Sequence, residues 1–134
     1  MDARETPSGE VERLHTALDI TNTLISAVSA TDPVRALASR ISTLCRGTAI
    51  IYDFEGTVVA STGEAPTQLI WNEIAATNRR EISIEIGRWH VRTRRVSLRD
   101  GVHVIAIASR AVDTLDQIGE LLLDTSERLL GAVH

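Results

Sequence analysis

Apolar residues near the amino terminus recur at alternating spacings of three and four, the heptad pattern of a helix with one narrow apolar seam. The seam positions are Val11, Leu14, Leu18, Ile25 and Val28, with Thr21 at the one polar step. A second apolar stripe beside this seam holds Ala17, Ile20, Leu24 and Ala27. The doubled stripe predicts a helix over residues 10–28 that packs against neighbours on two sides.

The carboxy-terminal segment repeats the same seam spacing. Its seam positions are Leu115, Ile118, Leu122, Leu129 and Ala132, again with a threonine, Thr125, at one step. Thr114 and Gln117 have the spacing of a capping box, which predicts a helix that begins near residue 114. Because the pattern is still periodic at His134, we expect the helix to continue in a longer native protein.

Between these helices the pattern alternates between helical and extended segments. Asp32 followed by Pro33 is typical of a helix start, and Gly47 of the position after a helix end, which predicts a second helix between them. Strands are predicted over residues 48–53, 57–62, 81–86, 89–98 and 102–108, and a short third helix over residues 67–77.

Two of the predicted strands differ from the others in being apolar at nearly every position. These are residues 48–53 and 102–108, and strands covered on both faces lie at the centre of a sheet. The fourth strand changes its alternation halfway along, which predicts a β-bulge near Arg94 and Arg95.

Composition limits the chemistry that the chain can perform. The 134 residues, 43% of them hydrophobic, are enough for one compact domain over residues 10–134, preceded by a polar, flexible segment over residues 1–9. All 14 basic residues are arginine, which excludes lysine chemistry, and the single cysteine, Cys45, excludes an internal disulfide. The first residues lack a secretory leader and no apolar run is long enough to span a membrane, so we expect a soluble, cytoplasmic protein.

No catalytic, metal or cofactor site is expected. The sequence lacks the common nucleophile and phosphate-binding motifs, and the predicted strands keep His90 and His103 too far apart to share a metal ion. Cys45 lies late in the second helix and is expected to be a buried, unreactive thiol.

A cluster of five arginines follows the third strand. Arg88, Arg92, Arg94, Arg95 and Arg99 stand within twelve residues, with Trp89 among them. A net charge of -4 and an aromatic content of 3% argue against a nucleic-acid surface. We therefore expect a solvated face on a strand near the sheet edge, with an anionic ligand and direct nucleic-acid contact as alternatives.

Residues 32–62 carry the most specific part of a resemblance to a known family that covers about residues 31–133. The segment DPVRALASRISTLCRGTAIIYDFEGTVVAST has a helix, a strand, the turn Asp53 to Gly56, and a second strand that ends in Ala60 and Ser61. It resembles the opening of the GAF-like domain in bacterial transcription regulators of the purine-catabolism and sugar-diacid (PucR-like, CdaR-like) type. The resemblance implies an α/β fold of GAF or PAS type, with a five-stranded antiparallel sheet in the order 2-1-5-4-3.

The resemblance also implies a role. Such a domain is a non-catalytic sensory and dimerisation module in the amino-terminal part of a longer regulator, and it reaches DNA only through a separate helix-turn-helix domain. The alternative is a roadblock-like or PAS-like protein-interaction scaffold without a small-molecule ligand. The roadblock fold has nearly the same element order.

Two sets of residues are candidates for these roles. A small-molecule effector would lie between the sheet and the third helix, against Tyr52, Ile70, Trp71, Ile74 and Trp89, unless these side chains only fill the core. We expect the terminal helices to pack side by side on one sheet face and to form a homodimer through their second stripes. The interface residues would be Val11, Leu14, Leu18, Ile25, Leu115, Ile118, Leu122 and Leu129, unless both stripes are used within one chain.

Overall fold

The computed structural model describes residues 5–133. In chain order its elements are α1 (Glu5–Ile25), a short 3-10 helix (Ser26–Ser29), α2 (Pro33–Cys45), β1 (Gly47–Tyr52), β2 (Val58–Thr62), α3 (Thr67–Ala75), β3 (Glu81–Ile86), β4 (Trp89–Leu98), β5 (Gly101–Ser109) and α4 (Val112–Val133). The strands form one antiparallel sheet in the order β2-β1-β5-β4-β3. The predicted fold class and strand order are confirmed.

Two apolar cores lie on opposite faces of the sheet. Beneath α1, α2 and α4 the core holds Leu24, Leu37, Ile41, Ile105 and Leu122. Beneath α3 it holds Ile50, Tyr52, Ile70, Ile74 and Ala106. Strands β1 and β5 contribute to both cores, which confirms that the two strands without alternation are central. The terminal helices share one face, as predicted.

The start of α2 follows the sequence signals, whereas its end does not. The Asp32 carboxylate accepts a hydrogen bond from the backbone N–H of Arg35 at 3.2 Å, and Pro33 occupies the first helical position. At the end, Arg46 adopts the left-handed conformation, with φ 57°. Gly47 instead begins β1, where a Cβ atom would overlap the carbonyl oxygen of Ala108 on β5. The glycine therefore permits close strand approach and does not end the helix.

The predicted bulge near Arg94 and Arg95 is wrong. β4 pairs in continuous register with both of its neighbours, and the irregular pairing lies between Ile51 and Tyr52 of β1, opposite β2. The change of alternation has another cause. Val91 packs in the core under α3, whereas Val96 packs in the core on the other face of the sheet.

The amino-terminal helix is longer than predicted. α1 begins at Glu5, so helix replaces the flexible segment over residues 5–9. Residues 1–4 and His134 lie outside the described residues, as does the prediction that the last helix continues beyond them.

Candidate functional site

One face of α1 carries large apolar side chains that the rest of the chain leaves exposed. The exposed fractions are 50% for Val11, 63% for Leu14, 58% for Leu18 and 47% for Ile25, and the row continues to Val28, 38% exposed, in the short 3-10 helix that follows α1. We call these five residues the exposed α1 stripe. They are the heptad seam that the sequence predicts, so the seam is not used inside the chain.

A neighbouring face of the same helix is buried. Ile20 and Leu24 are 4% and 0% exposed and pack in the core shared with α2 and α4. Before Ile20 the helix has little support, since among the described side chains from Val11 to Asp19 only Ala17 is half-buried. Isolated helices shorter than about 12–15 residues are marginally stable in water. A partner along the exposed α1 stripe would therefore stabilise the amino-terminal part of α1.

The predicted interface residues of α4 are used differently. Leu115 and Leu122 are 1% and 0% exposed in the chain's own core, so this part of the interface prediction is wrong. Ile118 and Leu129 are half-buried against the same core. The spacing on α4 correctly indicates an apolar seam, but the seam is occupied within the chain.

The five predicted effector-binding residues come together on the α3 face of the sheet. Tyr52, Ile70 and Ile74 are at most 1% exposed, and Trp71 and Trp89 are half-buried against them. The rings of Tyr52 and Trp71 pack with centroids 5.2 Å apart. These side chains fill the space that the effector prediction assigns to a ligand.

Tyr52 also has its polar group satisfied within the chain. Its hydroxyl donates a hydrogen bond of 2.7 Å to the carbonyl oxygen of Thr67, and burial raises the pKa of the phenol well above its usual value. A shallow depression of about 310 Å³ remains beside Trp71, lined also by Phe54, Arg95 and Val102.

Arg94 lies at the centre of an ionic network that joins β3, β4 and α4. Its side chain is 3% exposed. Its partners are Glu81, at 2.7 Å from Nε, Glu120, at 3.1 Å from Nη2, and Asp124 and Glu127 beside Nη1. Burial lowers the pKa of the guanidinium, but the hydrogen bonds and charges of Asp124 and Glu81 outweigh burial and raise it.

Two neighbouring arginines are also held by the fold. Arg95 donates hydrogen bonds to the carbonyl oxygens of Ile74, at 2.9 Å, and Thr77, at 2.7 Å, at the end of α3. Arg92 donates to the carbonyl oxygen of Leu115 at 3.3 Å. The expectation of a solvated face is therefore wrong for Arg92, Arg94 and Arg95. Arg88 and Arg99 of the same cluster are exposed.

The carboxylates around Arg94 are sites that the sequence reasoning missed. Glu120, Asp124 and Glu127 recur at spacings of four and three, which places them on one face of α4. This spacing, opposite a strand rich in arginine, is the signal that could have identified the network.

Cys45 lies in the core, where burial raises the pKa of its thiol to about 11. At neutral pH the thiol is protonated and therefore a weak nucleophile. Among the residues described by the structure, no group of three His, Cys, Asp or Glu side chains is arranged to hold a metal ion. Within that same part of the chain, no helix combines the length and apolar character needed to cross a bilayer.

Comparisons with known proteins find a likeness among solved structures. No protein-family model matches the chain, and no curated protein matches it. Among solved structures, Myxococcus xanthus MglB aligns with a TM-score of 0.51 and 13% sequence identity, covering 78% of this chain and 99% of MglB. MglB has a roadblock-type fold. At this level of identity the likeness shows that the fold is shared. It carries no information about whether an activity is shared.

Proposed function

We propose that this chain is a non-catalytic protein-interaction scaffold with a roadblock-like fold, and that it self-associates through the exposed α1 stripe. The stripe is the single observation that carries the proposal. Soluble domains seldom leave a contiguous row of large apolar side chains uncovered, and such rows usually mark sites of association. The likeness to MglB supports the fold part of the proposal.

The spacing of the stripe favours a second copy of the same chain as the partner. An apolar seam with alternating steps of three and four fits a helix that has the same spacing. A second α1 helix supplies this spacing, and a two-fold axis along the seam would bury the same residues on both copies. Each α1 also packs on its own α4, so two copies would form a bundle of four helices.

A non-catalytic role fits the way the reactive side chains are used. The Cys45 thiol is buried, and Arg92, Arg94 and Arg95 hold the sheet to its helices. These groups are engaged in packing and hydrogen bonds that stabilise the domain.

The finer role as the sensory domain of a cytoplasmic bacterial transcription regulator has weaker support. It rests on the resemblance of residues 32–62 to the GAF-like domain of PucR-like regulators. Against effector binding, Tyr52, Ile70 and Ile74 fill the predicted pocket. A thermal-shift screen against small metabolites tests this role, because a ligand that binds only the folded chain raises its melting temperature.

Light scattering after size exclusion, at micromolar concentration, tests self-association. We expect a mass of about twice the 14.6 kDa of one chain. Leu18→Glu places a charge in the stripe and should give a monomer, whereas Thr16→Glu adds the same charge at an exposed position outside it and should stay dimeric. A monomeric native chain, or a Leu18→Glu dimer, would contradict the proposal.

A further inference from the structure

β3 is the edge strand of the sheet at the end opposite β2. One of its long edges pairs with β4, and no strand among the described residues pairs with the other. Alternate backbone N–H and C=O groups of an edge strand point outward and can pair with another chain. The outer edge of β3 can therefore receive a further strand.

The two faces of β3 differ in chemistry. Glu81, Ser83 and Glu85 are exposed and share the face that α4 partly covers, where Glu81 and Arg94 are bonded. Ile82, Ile84 and Ile86 are half-buried on the α3 face. Any strand added beside β3 would place its alternate side chains next to these two rows.

The residues of β4 show which kinds of side chain fit beside the two rows of β3. Opposite Glu81, Ser83 and Glu85 it places Arg94, Arg92 and His90, in that order. Two of these pairs are in contact: the Nε atom of Arg94 lies 2.7 Å from Glu81, and Nδ1 of His90 lies 3.3 Å from Glu85. On the other face, Thr93, Val91 and Trp89 lie opposite Ile82, Ile84 and Ile86. The inner edge of β3 thus pairs with a strand in which basic residues alternate with two apolar residues and a threonine.

The surroundings of the outer edge are acidic. Two surface depressions, of about 460 and 270 Å³, border β3; the larger is lined by residues of both α3 and α4, and the smaller by residues of α4. Their titratable lining consists of the carboxylates Glu73, Glu81, Glu85, Asp116 and Glu120, the guanidinium groups Arg79 and Arg92, and the imidazole of His90, which contacts Glu85. The guanidinium of Arg92 is already bonded to a carbonyl oxygen of α4. Buried Arg94 is bonded to Glu81 and Glu120, yet the five carboxylates still outnumber the guanidinium groups of Arg79, Arg92 and Arg94, and this excess favours a basic partner.

We propose that the outer edge of β3 binds an extended segment of another protein, in which basic residues alternate with apolar ones, as a sixth strand of the sheet. The basic side chains would lie beside Glu81 and Glu85, and the apolar ones beside Ile82, Ile84 and Ile86. A second copy fits this edge poorly, because two-fold pairing of β3 strands places the two acidic rows side by side. The proposal concerns a different element from α1 and goes beyond self-association.

A fluorescein-labelled peptide Arg-Val-Arg-Val-Arg-Val-Arg, titrated with the chain and followed by fluorescence anisotropy, tests the proposal. We expect saturable binding, and at least tenfold weaker binding of Glu-Val-Glu-Val-Glu-Val-Glu and of the rearranged peptide Arg-Arg-Arg-Arg-Val-Val-Val. The double variant Ser83→Arg with Glu85→Arg should weaken binding at least tenfold, since both positions are exposed. Glu64→Arg, an exposed charge reversal far from β3 in the sequence, should not change it.

Two N-methylated versions of the peptide test whether binding uses backbone pairing. Methyl groups on odd residues block one edge of the peptide strand, and methyl groups on even residues block the other. We expect one version to lose binding and the other to keep it. Equal behaviour of the two versions, or equal binding of the rearranged peptide, would overturn strand addition. A β3 variant that alters the mass of the native chain would instead indicate self-pairing and would also overturn the proposal.

The same titration on Leu18→Glu separates this proposal from self-association. We expect the monomeric variant to bind the peptide as tightly as the native chain, since Leu18 lies on α1. If the chain does not dimerise, the peptide titration still tests strand addition at β3. If the peptide does not bind, the mass measurement still tests self-association through α1.

Discussion

Arg94 holds an edge strand, its neighbour and a helix together at one point. Its guanidinium is 3% exposed, whereas its partners Glu81, Glu120 and Asp124 are 44%, 63% and 53% exposed. Removal of the guanidinium leaves Glu81 of β3 facing the α4 carboxylates Glu120 and Asp124 without a cation between them. We expect Arg94→Ala to lower the free energy of unfolding by about 2–3 kcal/mol. This loss is at the low end of the losses found when one partner of a buried ion pair is removed, because water reaches the carboxylates that remain.

Urea unfolding measures this loss. Arg88→Ala is the matched control, since Arg88 is exposed, and we expect a change within about 0.5 kcal/mol. Replacing Asp124 by alanine in the Arg94→Ala background removes one of the opposed charges and should recover part of the stability. An Arg94→Ala chain as stable as the Arg88→Ala control would contradict the structural role of the network.

Cys45 should make the free energy of unfolding decrease as the pH rises through the alkaline range. Burial raises the pKa of its thiol from 9.0 to about 11. Well below pH 9 the thiol is neutral in both the folded and unfolded states, so its full contribution is present. Between pH 9 and 11 it ionises mainly in the unfolded chain, which favours unfolding by up to about 1.4 kcal/mol per pH unit.

The comparison with Cys45→Ala isolates this effect. The difference in unfolding free energy between the native chain and Cys45→Ala should be constant from pH 7 to 8.5 and then shift against the native chain toward pH 11. A difference that stays constant across this range would show that the thiol titrates equally in the folded and unfolded states.

At the scale of elements, the sequence predicts structure well where the same face of a helix or strand is buried along its whole length. The Asp32 and Pro33 signal identifies the start of α2, and the unbroken apolar runs identify β1 and β5 as central. β4 fails this condition, because its first half faces the α3 core and its second half the core of the other helices. A periodicity argument assumes one buried face along a strand, so it interprets this change of covered face as a bulge.

The candidate site shows the same limit. Spacing predicts apolar seams on both α1 and α4, but it does not say which neighbour occupies each seam. Leu122 lies against the sheet and Leu18 faces solvent, although both hold equivalent seam positions. The difference arises because α4 covers β4 and β5 along most of its length, whereas α1 reaches the core only from about Ile20 onwards. Tertiary contacts of this kind are not encoded in local spacing.

At the scale of the whole molecule, self-association through α1 would couple folding to concentration. If unfolding separates the two copies, dilution favours the unfolded chains by mass action, because one dimer yields two of them. For chains of this length, each tenfold rise in concentration should raise the melting temperature by about 2–3 °C. Leu18→Glu removes the association and should melt at one temperature at every concentration.

Differential scanning fluorimetry or circular dichroism from 1 to 100 μM measures this dependence. Thr16→Glu is the matched control and should follow the native chain, because its added charge lies outside the exposed α1 stripe. A melting temperature of the native chain that does not change with concentration would show that α1 pairing does not contribute to stability in this range. The amino-terminal part of α1 has few contacts within one chain. On heating, the helical circular dichroism signal of Leu18→Glu should therefore begin to decrease at temperatures below its main unfolding transition.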